Sequence, residues 1–229
     1  MLIIFIVFAL LSWIVSAQLK RRFKKYSSIS IGGDMSGAEV AQQMLNDNGI
    51  FDVQVLSSSG HLSDHYNPAN KSVNLSGDVY NGRNVSAAAV SAHECGHAIQ
   101  HAKGYAPLKI RSTLVPLQNV SAKVLNVIFI AMFAGAIALP SLIPFDIALI
   151  IIIICYSIFT LFSIITLPVE LNASRRALLW LTNSGITTQH NHKQAKDALK
   201  WAAYTYLIAT LSSLATLIYY IFLFVNRRN

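Results

Sequence analysis

The chain has 229 residues, 54% of them hydrophobic and only 12% charged, with a formal net charge of +8. Soluble domains carry about 25% charged residues, so this composition leaves too little polar surface for a water-soluble fold and is equally unlike a disordered chain. Two cysteines, Cys95 and Cys155, exclude a disulfide framework. The excess of positive charge stands beside apolar runs and reads as membrane topology, with the lipid bilayer and not nucleic acid as the partner.

The first element is apolar over residues 2–17 apart from Ser12 and Ser16, and is followed by Lys20, Arg21, Arg22, Lys24 and Lys25. A secretory signal has its positive charge before the apolar stretch, so this order predicts an uncleaved anchor over residues 1–19. Three further apolar runs cover roughly residues 124–140, 146–169 and 204–225. Each approaches the ~20 residues that cross about 30 Å of hydrocarbon. Four transmembrane helices are expected, the middle two forming a hairpin over 124–169 that turns at 140–144. Of the 18 lysines and arginines, all but Arg227 and Arg228 fall in the stretches 20–123 and 170–203. That bias predicts both stretches in the cytoplasm, with both termini outside, and 204–229 as the last helix and tail.

Residues 20–123 turn mixed and globular. Ser36 followed by Glu39 predicts a capping box opening a helix that ends before Asn48-Gly49. Residues 51–56 and 71–76 alternate like half-buried strands, the second either an edge strand for pairing with an extended peptide or an ordinary core strand. Asn81-Gly82 precedes a helix expected over about residues 85–102. The fold class is therefore mainly α: a polytopic membrane protein with about four transmembrane helices and a small α+β cytoplasmic region carrying this last helix, which contains an HExxH motif.

That motif is His93-Glu94-Cys95-Gly96-His97. Four residues along a helix make one turn plus about 40°, so both imidazoles share a side and can hold a single zinc, with Glu94 beside them to reach a metal-bound water. Gly96 leaves room for another backbone. Cys95, about 100° round the helix from Glu94, is read as small packing. A third ligand is needed. The metzincin spacing requires Gly at 100 and His at 103; the chain has Gln100 and Lys103. His101 lies about 12 Å along the helix from His93, too far to join the same ion. Of the carboxylates downstream, Asp146 falls at the external end of the third span, and Asp197 reads as a solvated charge or a pair with Lys193 or Lys200. Glu170 falls at the cytoplasmic end of that span, in the compartment of the two histidines. Its competing reading is an interfacial carboxylate paired with Arg175 or Arg176.

The stretch from His93 to His101 resembles that of the bacterial YugP-type neutral zinc metallopeptidases, as do Gly104-Tyr-Ala-Pro-Leu108, Pro168-Val-Glu-Leu-Asn-Ala-Ser-Arg-Arg-Ala177 and Asp64-His-Tyr-Asn-Pro68. The similarity covers nearly the whole chain. It implies a membrane-integral gluzincin, distantly like HtpX and the CAAX prenyl protease, in the bacterial inner membrane. It also implies one Zn2+ per chain, with His93, His97 and Glu170 as ligands and Glu94 as general base. In HtpX-like enzymes an aspartate follows the ligand glutamate four residues on. Ser174 stands there in this chain, so Asn172 or Ser174 would have to take its part. His65, Tyr66, Tyr80 and Arg175 are candidates for a second oxyanion donor. The expected substrates are peptides or proteins, membrane-embedded or unfolded. The rival reading is a proteolytically inactive, zinc-bound membrane scaffold in protein quality control.

Overall fold

The computed structural model describes residues 1–60, 63–137, 144–189 and 191–228. In chain order it contains α1 (Leu2–Tyr26), a short 3-10 turn (Gly32–Asp34), α2 (Gly37–Asp47), β1 (Gln54–Ser58), β2 (His65–Asn67), β3 (Ser72–Ser76), α3 (Gly77–Tyr80), α4 (Val85–Ala102), α5 (Ala106–Ile137), α6 (Phe145–Asn183) and α7 (His192–Arg228). Among the described residues four helices, α1, α5, α6 and α7, are long and apolar enough to cross a membrane. The turn expected at 140–144 lies, apart from Pro144, outside the described residues.

The spanning helices are longer than their apolar runs. α5 has 32 residues, α6 39 and α7 37, against about 20 for one crossing. α5 accordingly starts at Ala106 and not near 124, α6 continues well past 169, and α7 starts at His192 and not near 204. Hydropathy marks the lipid-facing part of a helix and misses its polar continuation. The outward-facing apolar side chains are what a bilayer accepts: Leu2 is 70% exposed, Ile130 69% and Phe133 73%.

The chain forms two compact units, one of Met1–Ser12, Lys109–Leu167 and Tyr206–Asn229, the other of Trp13–Leu108 and Pro168–Thr205. The first packs Leu125, Ile128, Ala148, Leu149, Ile152, Cys155 and Tyr220 into an apolar core. Arg227 Nε meets Asp146 Oδ1 at 3.0 Å, bringing the first turn of α6 to the end of α7. The Thr210 hydroxyl donates to the Ser163 carbonyl oxygen at 3.3 Å.

The second unit holds a three-stranded sheet of order β1-β3-β2, with β3 parallel to β1 and antiparallel to β2. Of the two readings of 71–76, edge strand or core strand, the second holds: it is the central strand, paired on both sides; sequence alternation cannot tell an edge from a centre. Of the two edge strands, β1 lies beside α2 and α3 and β2 beside α4. β1 starts later than expected, at Gln54, leaving Phe51 outside it and 79% exposed. The Asp64 carboxylate accepts from the amide of Ser76 at 2.7 Å and fixes the end of β3.

Helices α2 and α4 pack beside this sheet. The Ser36 hydroxyl accepts from the amide of Glu39 at 3.2 Å while the Glu39 carboxylate accepts from the amide of Ser36 at 2.7 Å, a complete capping box. Gly49, at φ 71°, supplies the left-handed residue after α2. Val40, Met44 and Leu45 of α2, Val73 and Leu75 of β3, and Val79 of α3 are fully buried, each worth about 1.5–3 kcal/mol on removal from water. On α4 the corresponding positions are small: Ala87, Ala88, Ala89 and Ala92 are fully buried. Alanine costs little side-chain entropy and lets neighbouring backbones come close.

Candidate metal centre

Asn84 opens α4, its side-chain oxygen accepting from the amide of Ala87 at 3.0 Å. Two turns further on, His93 and His97 stand with ring centroids 4.8 Å apart at 82°. Opposite them, α6 presents Glu170, whose Oε2 lies 3.2 Å from His93 Nε2 and 3.4 Å from His97 Nε2. One ligand atom from each of the three residues falls within a common 4.8 Å. Donors at about 2.0–2.2 Å from one tetrahedral zinc stand about 3.3 Å from one another, so both histidine–glutamate separations suit such an ion. Glu170 is 1% exposed and His97 7%. A carboxylate buried between two imidazoles requires a cation or protons to offset its charge, and nitrogen and carboxylate donors suit zinc.

The approach of α6 depends on Gly96. A Cβ at that position would lie 2.7 Å from the carbonyl oxygen and 3.0 Å from the Cα of Ala173, so the two backbones touch there. Glu170 and Ser174 are one turn apart on α6 and meet opposite nitrogens of a single ring. The Ser174 hydroxyl is 3.1 Å from His93 Nδ1. The remaining nitrogen of His97, Nδ1, is 3.0 Å from Gln100 Oε1. Gln100 is fully buried, and its Nε2 donates to the Val169 carbonyl oxygen at 2.8 Å and to Asn172 Oδ1 at 3.0 Å. Asn172 Oδ1 also accepts from Arg176 Nε at 2.8 Å.

Glu94, 8% exposed, accepts from the amide of Tyr66 on β2 at 3.0 Å. The Tyr66 hydroxyl reaches His101 Nδ1 at 2.8 Å. Burial pushes the Tyr66 phenol above its ordinary value and keeps it protonated. Sequence reasoning thus nominated Tyr66 for its side chain, whereas the structure sets its backbone amide on Glu94.

Among the other nominated residues, His65 is exposed, with Nδ1 2.8 Å from the Ser63 carbonyl oxygen. Tyr80 packs against the apolar core, and Arg175 is exposed. The structure does not bring these three into hydrogen bonding with the histidine–glutamate group. Arg176 is engaged by Asn172 and not by Glu170. Asp197 pairs with neither Lys193 nor Lys200: it accepts from Arg22 at 2.8 Å and from the Tyr26 hydroxyl at 2.6 Å. A guanidinium from another helix supplies directed donors that flexible lysines on the same helix do not. Cys95 is fully buried with Sγ 3.5 Å from the Ala41 carbonyl oxygen, and burial pushes its thiol up, as befits a packing residue. Sequence reasoning passed over Gln100. Its signal was present: a long polar side chain three residues after a candidate ligand, on the same face of an apolar helix.

The chain matches the sequence profile of a family described as "putative neutral zinc metallopeptidase" over residues 1–225. It is 38% identical over 231 residues to a protein of Bacillus subtilis (strain 168) described as "putative membrane protease YugP", with 100% of this chain and 99% of the relative aligned. No solved structure matches.

Proposed function

The chain belongs to this family of neutral zinc metallopeptidases, and from that premise we propose that it is a membrane-integral zinc endopeptidase. In this reading His93, His97 and Glu170 hold one zinc ion per chain and Glu94 is the general base. The observation that carries it is the convergence of both imidazole Nε2 atoms on one buried carboxylate oxygen, 3.2 and 3.4 Å away.

Bound there, zinc supplies a Lewis acid and a water whose pKa falls to about 7. The chain's own groups do the rest. Glu94 takes the proton of the attacking water and passes it to the departing amine, a role worth about 10²–10⁴ in rate. Ser174 and Gln100 hold the outer nitrogens of the two imidazoles. β2 pairs only with β3 among the described residues, and the Tyr66 amide is spent on Glu94 and not on a strand. An extended peptide laid along β2 competes for that amide and leaves the Glu94 oxygen open to water. This supports peptide-bond hydrolysis on extended substrates, unfolded or membrane-embedded.

Replacing Glu94→Gln in the purified full chain tests the assignment. Cleavage of a labelled unfolded protein is expected to fall to background while zinc stays at one per chain. Surviving hydrolysis overturns the role of Glu94, and wild-type protein that retains no zinc overturns the ligand set. The bias of lysine and arginine supports a cytoplasmic site. Lys103→Cys should then react with an impermeant thiol reagent in inverted vesicles and not in whole cells; the reverse pattern would invert the topology.

A further inference from the structure

The hydrogen bonds behind His97 form a chain whose proton positions follow from donor and acceptor chemistry. Arg176 Nε has only a hydrogen to give, so the atom it meets on Asn172 at 2.8 Å is the side-chain oxygen. The Val169 carbonyl oxygen likewise only accepts. The Gln100 atom that faces both, at 3.0 and 2.8 Å, must therefore be its amide nitrogen, since an oxygen there would oppose two acceptors. With Gln100 so oriented, its Oε1 faces His97 Nδ1 at 3.0 Å and can only accept. His97 then carries its hydrogen on Nδ1, where the acceptor is 3.0 Å away, and in the neutral ring the lone pair stands on Nε2, where the Glu170 oxygen is more distant at 3.4 Å.

The other imidazole is fixed the opposite way. His93 Nε2 faces the Glu170 carboxylate at 3.2 Å, which only accepts, while its Nδ1 meets the Ser174 hydroxyl at 3.1 Å, which is able to donate. The two histidines of the metal-free chain therefore carry their hydrogens on different atoms, Nε2 in His93 and Nδ1 in His97. The same Gln100 amide that dictates the latter also grips the carbonyl of Val169, the residue just before Glu170. One fully buried side chain thus connects the ring orientation of α4 to the position of the Glu170 carboxylate on α6.

From this geometry we infer that Gln100 is a positioning residue that locks the Nδ1–H tautomer of His97, and that Asn172 and Arg176 hold Gln100 in the orientation required. The inference rests on the zinc reading only for its consequence in metal affinity; the tautomer is a property of the metal-free chain.

Two measurements on the full chain in detergent test it. The first is 15N–1H correlation of histidine-labelled, metal-free protein at alkaline pH, where the rings are neutral. Wild type is expected to show His97 as the Nδ1–H tautomer and His93 as the Nε2–H tautomer, and Gln100→Leu to shift His97 toward Nε2–H, the nitrogen that faces Glu170. The second is zinc affinity by competition with a chromogenic chelator. Here Gln100→Leu is expected to weaken binding by about 10–100-fold, as loss of an outer partner of a metal-bound histidine does. Asn172→Asp keeps both acceptor contacts and should restore the wild-type tautomer, whereas Asn172→Leu should not. Far-UV circular dichroism on each variant separates misfolding from the specific effect. An unchanged His97 tautomer in well-folded Gln100→Leu overturns the inference. If wild type binds no zinc but shows the locked tautomer, the zinc reading fails and the inference stands.

Discussion

Helix α4 brings His93, Glu94 and His97 within five consecutive residues, while α6 brings Glu170, Asn172, Ser174 and Arg176 from a segment whose hydropathy continues a membrane span. α4 lies in an apolar core shared with α2, the sheet and Ala177 and Leu181 of α6, its Ala87, Ala88, Ala89 and Ala92 fully buried. What it cannot do is finish its histidines. His93 receives both of its hydrogen-bonding partners from α6, and His97 receives one from α6 and one from Gln100, itself held by α6. One helix supplies the reactive groups and the other fixes their directions, so damage to either should be distinguishable by what is lost.

The largest effect is expected from removing the one carboxylate of α6. Glu170→Ala should weaken zinc binding by more than about 100-fold, beyond the range seen for outer partners, and stop cleavage with it; zinc retained at one per chain through size exclusion would break the comparison by making α4 sufficient. Gly96→Ala comes next. Its methyl meets the Ala173 backbone, which cannot rotate aside, so α6 must retreat. Overpacking of this kind costs about 1–3 kcal/mol, seen as a lowered unfolding midpoint, with zinc affinity falling alongside it; unchanged values in both would mean that the helices do not bear on each other there. Ser174→Ala should weaken zinc binding by about 10-fold, the lower end for such partners, with the midpoint of unfolding little changed.

The smallest effect belongs to a control outside both helices. Ser36→Ala removes the N-cap of α2 and should cost about 1 kcal/mol in stability, with zinc affinity unaltered. pH acts on the same cap through Glu39, which the Ser36 backbone amide holds below its ordinary value. A carboxyl depressed in the folded state stabilises fully above its unfolded value, near 4.3, and loses that contribution as pH falls through the folded value. Wild type should therefore lose stability below about pH 4 slightly faster than Glu39→Gln, which has no carboxyl to titrate; parallel acid profiles would remove Glu39 from the account.

The α4 half was legible because its chemistry is local: a turn of helix spaces the histidines, so the pattern survives in the letters. The capping box at Ser36 and Glu39 was legible for the same reason. Glu170 was reached only through topology, by asking which acid the charge bias leaves in the compartment of the histidines. Gln100 and the Tyr66 amide stayed hidden. One looks like any polar residue, and the other is a backbone group whose direction depends on strand order. Order was also what the letters left open at β3, since alternation reports two faces and not two edges. Asp197 was misassigned because its partners, Arg22 and Tyr26, come from the far end of the chain.

His93 and Glu170 are separated by 77 positions in the chain, and all of α5 together with the apolar half of α6 lies between them. A growing polypeptide emerges in order, so the imidazoles leave the ribosome well before the acid that faces them has been translated. Only after the intervening pair of apolar helices has been made does the last piece arrive. Completion of the centre thereby reports that synthesis has passed the third hydrophobic segment, and a nascent or truncated chain that stops short of it carries half a centre.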